Sequence, residues 1–126
     1  MTADLGTRAE DLVVARLVAA GWEVLGVRVR LGREELDIVA ADPGPPPALV
    51  VVEVRWRGRR DFGLPEETLD RRKRLALRRG LGMLLEAGTL PGGDPLPRHP
   101  VRIDLVVVEP GPAGEATVRH HRAIAL

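Results

Sequence analysis

Residues 35–56 read ELDIVAADPGPPPALVVVEVRW, and this stretch decides the architecture. Its second half, ALVVVEVRW at 48–56, is a β-branched run fit for burial on both faces and predicts a central strand. Its first part, ELDIVAA at 35–41, predicts a neighbouring strand. The intervening DPGPPP at 42–47 can be neither helix nor central strand, because proline has no backbone donor. Outward from this pair, WEVLGVRVRL at 22–31 alternates as a strand should, and residues 4–20 carry apolar residues at helical spacing between Asp4 and Gly21. Downstream, the pattern predicts a long helix from about Pro65 to Ala87, stopped by Gly88, then a strand over 101–109 and an edge strand over 115–122. The expected order is αβββαβ with an optional last strand. That is an α/β chain with one domain over 1–126, in which the helix between the third and fourth strands makes those two parallel neighbours.

The informative residues are charges where the periodicity calls for apolar side chains, since a buried charge is costly unless it is paired or binds metal. Glu53 lies in the middle of the central strand, sharing a face with Val51 and Arg55. Asp37 shares a face of its strand with Glu35 and Val39. Folded back as an antiparallel pair, the two strands aim Asp37 and Glu53 the same way. Two carboxylates roughly 5 Å apart repel unless a cation lies between them. Glu10 falls within the apolar sector of the first helix, beside Val13, Val14 and Leu17. In the long helix the inward stripe is Leu69, Ala76, Leu77, Gly80, Leu84 and Ala87, and Lys73, the only lysine, sits at its centre.

Composition narrows the chemistry. With no cysteine, disulfides, thiolate zinc sites and cysteine nucleophiles are excluded, so a metal must take oxygen ligands or the three histidines. Those histidines read as surface residues: His120 and His121 point to opposite faces of a strand, and His99 lies in a proline-rich loop. No apolar run approaches the roughly 20 residues of a membrane span, and the amino-terminal residues do not resemble a secretory signal, so a cytoplasmic protein is expected. The net charge is only +1, yet between Arg55 and Arg79 ten cationic residues face four acidic ones. Such a band suits contact with a phosphate backbone. Three aromatic residues are too few for a single-strand stacking platform, which favours duplex or branched DNA.

A helical glutamate, then ELD, then a hydrophobic strand bearing EVR resembles the PD-(D/E)xK nucleases. More narrowly, GTRAEDLVVARLVAAGWEVL, ELDIVA, VVEVRWR, FGLPEETLDRRKRL and RIDLVVV together resemble the YraN-type family of small bacterial proteins, related to Holliday-junction resolvases. The resemblance implies a restriction-endonuclease-like αβββαβ core, a mixed sheet flanked by helices. It also implies a Mg²⁺- or Mn²⁺-dependent endodeoxyribonuclease acting on duplex or branched DNA, and a homodimer. On that basis Asp37 and Glu53 would bind the metal, with the Val54 carbonyl as a third ligand and Glu10 reaching it through water. Arg57, Arg59, Arg60, Arg72 and Lys73 would contact the nucleic acid.

One position departs from the family pattern: Arg55 stands where lysine is usual. Arginine stays protonated and cannot serve as a base, although it can stabilise a charged transition state. Lys73, directed inward by helical periodicity alone, is the expected source of the missing amine. A DNA-binding module that has lost catalysis and a protein-binding adaptor on the same scaffold are the alternative functions.

Overall fold

The computed structural model of the chain describes residues 4–58 and 69–126. Helix α1 spans Leu5–Ala19, and Asp4 caps it by accepting the Thr7 N–H at 2.7 Å. Gly21, at φ +89°, turns the chain out of the helix. Strands β1 (Glu23–Leu31) and β2 (Glu34–Asp42) form a hairpin around Gly32 and Arg33. Strand β3 (Ala48–Trp56) returns antiparallel to β2 across the proline-rich turn. After helix α2 (Arg71–Ala87), strand β4 (Val101–Pro110) lies parallel to β3, and β5 (Ala116–His121) closes the far edge antiparallel to β4. The sheet order is β1-β2-β3-β4-β5. This is an α/β fold with a five-stranded mixed sheet, consistent with the restriction-endonuclease-like core expected from the sequence.

Strand β3 is the axis of the packing. Leu49, Val50, Val51 and Val52 are all at most 1% exposed, because each face of the strand meets a different helix. On one side Val50 and Val52 join Ile38, Val106 and the α1 residues Val13 and Leu17. On the other, Leu49 and Val51 join Val39, Leu105 and the α2 residues Leu77 and Leu84. Each such side chain contributes roughly 1.5–3 kcal/mol by leaving water.

Two expectations need correction at α2. The helix does not run unbroken from Pro65: Asp70 is its N-cap, in extended conformation, and accepts the Lys73 N–H at 2.9 Å. Pro65 itself lies outside the described residues. An acidic cap beside the positive end of the helix dipole ends the element there, so Leu69 is buried ahead of the helix and not on its inner stripe. Ala87, expected inward, is exposed, because it occupies the final position before the Gly88 cap.

Two local irregularities mark β1. A bulge shifts the register between Val24 and Gly26, and Arg28 adopts φ +50°, a conformation that non-glycine residues rarely hold.

Gly80 sets the approach of α2 to the sheet, since a Cβ there would sit 3.0 Å from Leu36 Cδ2, whereas one at Gly82 would meet nothing. Gly80→Val is expected to lower stability by about 1–3 kcal/mol by wedging the helix outward. Gly82→Ala is expected to raise it by up to about 1 kcal/mol through helix propensity. Urea midpoints at constant m-value test both.

Candidate active site

The site forms where the ladder between β2 and β3 stops. Pairing runs from Asp42 opposite Ala48 to Ile38 opposite Val52. One further step in the same register sets Asp37 opposite Glu53. There the Asp37 carboxylate takes the place of a backbone partner, its Oδ2 accepting the Val54 N–H at 2.9 Å. On the other side of β2, pairing passes from Val27 opposite Ile38 to Val29 opposite Leu36, stepping over the rung that Arg28 and Asp37 would share. The left-handed Arg28 sends its Nη1 to Glu10 Oε1 on α1, 2.7 Å away.

Glu53 is 2% exposed. Its Oε1 lies 3.3 Å from Lys73 Nζ and 3.7 Å from Arg55 Nε. Its Oε2 is buried with no hydrogen-bond partner among the described residues, and the same holds for Arg55 Nε. Burial pushes the Glu53 carboxyl up to about 8; the Asp37 charge adds to the rise, while Lys73 and Arg55 oppose it. Beside the Asp37 carboxylate, Glu53 therefore tends to keep its proton near neutral pH in the metal-free protein. Glu10 is also raised, first by burial and then by the charges of Asp37 and Glu35, against the opposing hydrogen bond from Arg28.

Asp37, Glu53, Arg55 and Lys73 therefore meet in one place, and Asp37 and Glu10 are near enough to feel each other's charge. Glu10 itself is engaged by Arg28. Val54 approaches Asp37 through its N–H. Among the described residues no set of three histidine or acidic side chains is arranged to hold an ion. The buried, unsatisfied Glu53 oxygen beside a second carboxylate nevertheless fits a hard cation, because Mg²⁺ commonly takes one or two carboxylates and completes its shell with water. Of the residues expected to contact nucleic acid, Arg57 follows β3 half-buried, with its N–H bonded to the Val108 carbonyl at 2.9 Å, and Arg72 is exposed in the first turn of α2. Arg59 and Arg60 lie outside the described residues.

The sequence reading missed two further buried carboxylates, Asp42 and Asp104. Asp104 is 0% exposed and bonds Arg102, the Ala123 N–H and His120. His120 lies at the surface as expected but is engaged there: its Nε2 lies 2.8 Å from Asp104 Oδ2 and its ring is tilted against Trp22. The signal was present, since Asp104 interrupts the apolar run VRIDLVVVE in the same manner as Glu53 interrupts its own.

The fold and this cluster define an α/β protein, consistent with a restriction-endonuclease-like core, in which the buried Glu53 stands beside the half-buried Asp37. Residues 9–108 match the model of the family described as "Uncharacterised protein family UPF0102". The chain belongs to that family, the YraN-type proteins its motifs resemble. A UPF0102 protein of Sorangium cellulosum is 40% identical over 114 residues, covering 90% of this chain and 75% of the relative. One from Symbiobacterium thermophilum is 34% identical over 119 residues, covering 94% and 93%. Among solved structures, Pyrococcus furiosus SfsA in complex with Ca²⁺ superimposes with a TM-score of 0.41 and 13% identity, covering 98% of this chain and 69% of that one. No helix among the described residues is long and apolar enough to cross a membrane.

A carboxyl raised on folding binds its proton in the native state while the unfolded chain has lost it. Stability of the metal-free protein should therefore fall as pH rises from about 4.5 to about 8. Glu53→Gln is expected to abolish the Glu53 share of this fall, on the order of a few kcal/mol, leaving the variant the more stable of the two at pH 8. Chemical denaturation at a series of pH values in chelator measures it; identical slopes for both proteins would contradict the assignment.

Proposed function

We propose that the chain is a divalent-metal-dependent endodeoxyribonuclease that hydrolyses phosphodiester bonds in duplex or branched DNA. The observation that carries this reading is the buried Glu53 carboxylate, beside Asp37 and with one oxygen unsatisfied, facing two cationic side chains. Asp37 and Glu53 would hold a Mg²⁺ or Mn²⁺ ion, with the Val54 carbonyl and, through water, Glu10 available as further ligands. Bound there, the ion supplies the polarisation of the phosphate and the acidification of the attacking water.

The chain's own residues do the rest. Lys73 Nζ, already 3.3 Å from Glu53, donates hydrogen bonds that orient the attacking water from the helix side. Arg55 stays charged and offers its fork to the equatorial phosphate oxygens as negative charge gathers on them. Arg57 after the end of β3 and Arg72 in the first turn of α2 steer and anchor the DNA backbone, a role that Arg59 and Arg60 would share. A two-fold dimer would present two such sites to a branched substrate.

A second reading rests on Arg55 and Lys73 both being committed to Glu53: a DNA-binding module of the same fold without turnover. Cleavage of labelled duplex and four-way-junction DNA with Mg²⁺ or Mn²⁺ separates the two. Under the nuclease reading Asp37→Ala and Glu53→Gln fall to background, and Lys73→Ala loses on the order of 10²-fold or more while still binding DNA. Salt-sensitive binding without cleavage by the wild type selects the second reading. Wild-type rates in Lys73→Ala would remove the lysine from the chemistry.

A further inference from the structure

The Asp104 centre lies on the α1 side of the sheet. Its rung partner is Val52, whereas Glu53 pairs with Leu105 on the α2 side. Asp104 Oδ1 accepts Arg102 Nε at 2.8 Å and the Ala123 N–H at 3.0 Å, and Oδ2 accepts Arg102 Nη2 at 3.0 Å. Burial alone would raise this carboxyl, but hydrogen bonds from His120, Arg102 and Ala123 prevail and hold it below the ordinary range. Being ionised, it can only accept. His120 Nε2 is therefore the donor across 2.8 Å, which fixes the tautomer and leaves Nδ1 as the uncommitted nitrogen.

Two clefts adjoin this scaffold and share Ala20, Trp22 and Arg122. The smaller, about 170 Å³, is bounded by Arg16, His120 and Arg122 over an apolar floor that includes Val13 and Val118. The larger, about 580 Å³, has rigid proline walls at Pro43 and Pro45–Pro47.

We propose that the smaller cleft binds the phosphate group of a phosphate ester, gripped by Arg16 and Arg122, with the organic part of the ester in the larger cleft. Charge supports this assignment. Arg102 is neutralised by Asp104 and Asp42, with Nη2 2.9 Å from Asp42 Oδ2. Arg122 meets the same Asp42 oxygen only at 3.7 Å, its side chain is 60% exposed, and it lies 5.8 Å from the Trp22 ring centroid. Arg16 has no ion-pair partner among the described residues. Two guanidinium forks, the groups best matched to tetrahedral oxyanions, thus border one cleft without full compensation. The carboxyl-terminal end of α1, which would repel an anion, is blunted because the Arg16, Leu17 and Val18 carbonyls already accept the N–H groups of Ala20, Gly21 and Trp22. Volume agrees as well: the small cleft admits a phosphate with little beyond it, while the large one falls in the range of ordinary ligand sites. The site shares no residue with Asp37, Glu53 or Lys73 and does not depend on the nuclease reading.

The phosphate can come from a free nucleotide or from a DNA strand. The chain has two tryptophans, so the Trp22 indole N–H resonance, assigned with Trp56→Phe, reports on the cleft directly. The wild-type chain is titrated at constant ionic strength with inorganic phosphate, with deoxyadenosine monophosphate and with a short DNA duplex; chloride serves as control. Saturable movement of the Trp22 resonance, weakened at least tenfold in Arg16→Ala and Arg122→Ala but kept in Glu53→Gln, is the expected result. Response to the nucleotide identifies a free ligand, and response to the duplex alone identifies a DNA contact remote from the acidic pair. No saturable response to any of the three, or one that survives in the Arg16→Ala, Arg122→Ala double variant, overturns the proposal. Both arginine side chains lie at the surface, so these variants should keep the fold, and their thermal melts check it.

Discussion

A single hydrogen bond from backbone to side chain governs the centre of this protein: the Val54 N–H given to Asp37. In a regular antiparallel pair that N–H would serve the neighbouring strand. Given to a carboxylate instead, it ends the ladder one residue after Ile38 and Val52. A charge-assisted bond of this kind contributes roughly 1.5–3 kcal/mol, enough to hold the strand ends in the altered arrangement. The opening is what leaves room for a second carboxylate opposite the first and for an amine arriving from the crossing helix. The same feature that terminates the sheet therefore builds the site.

The two fully buried acidic side chains of β3 and β4 are chemical opposites. Asp104 has its oxygens filled by donors from β4, β5 and the segment after β5, and it stays ionised at a cost offset by those bonds. Glu53, on the neighbouring strand and the other side of the sheet, has one oxygen answered by cations and the other by nothing described. Burial is comparable, so satisfaction makes the difference. A completed network fixes local geometry, and an incomplete one is a place where something else is expected to bind.

Much of this could be read from the chain. The alternation around Glu53 and Asp37, the parallel partnership of β3 and β4, and the inward direction of Lys73 all follow from periods of 2 and 3.6, since those periods fix which residues share a face. Other features depend on partners that no local pattern encodes. Asp70 as the helix cap was hidden because proline and two glutamates earlier in the chain give an equally good start signal. The role of Arg28 required knowing that α1 lies beside its kink. His120 looked superficial because adjacent histidines on a strand must diverge, yet the face it chose holds a buried aspartate sixteen residues away.

The irregularities of β1 have a consequence for how copies of the molecule meet. This strand forms one border of the sheet, and a flat border offers its spare amides and carbonyls to any similar strand that drifts past. The bulge at Val24 and Gly26 and the left-handed Arg28 twist that border out of plane, and Arg30 adds charge to it. Such irregularities at a border are the features by which edge strands are made poor templates for a second copy.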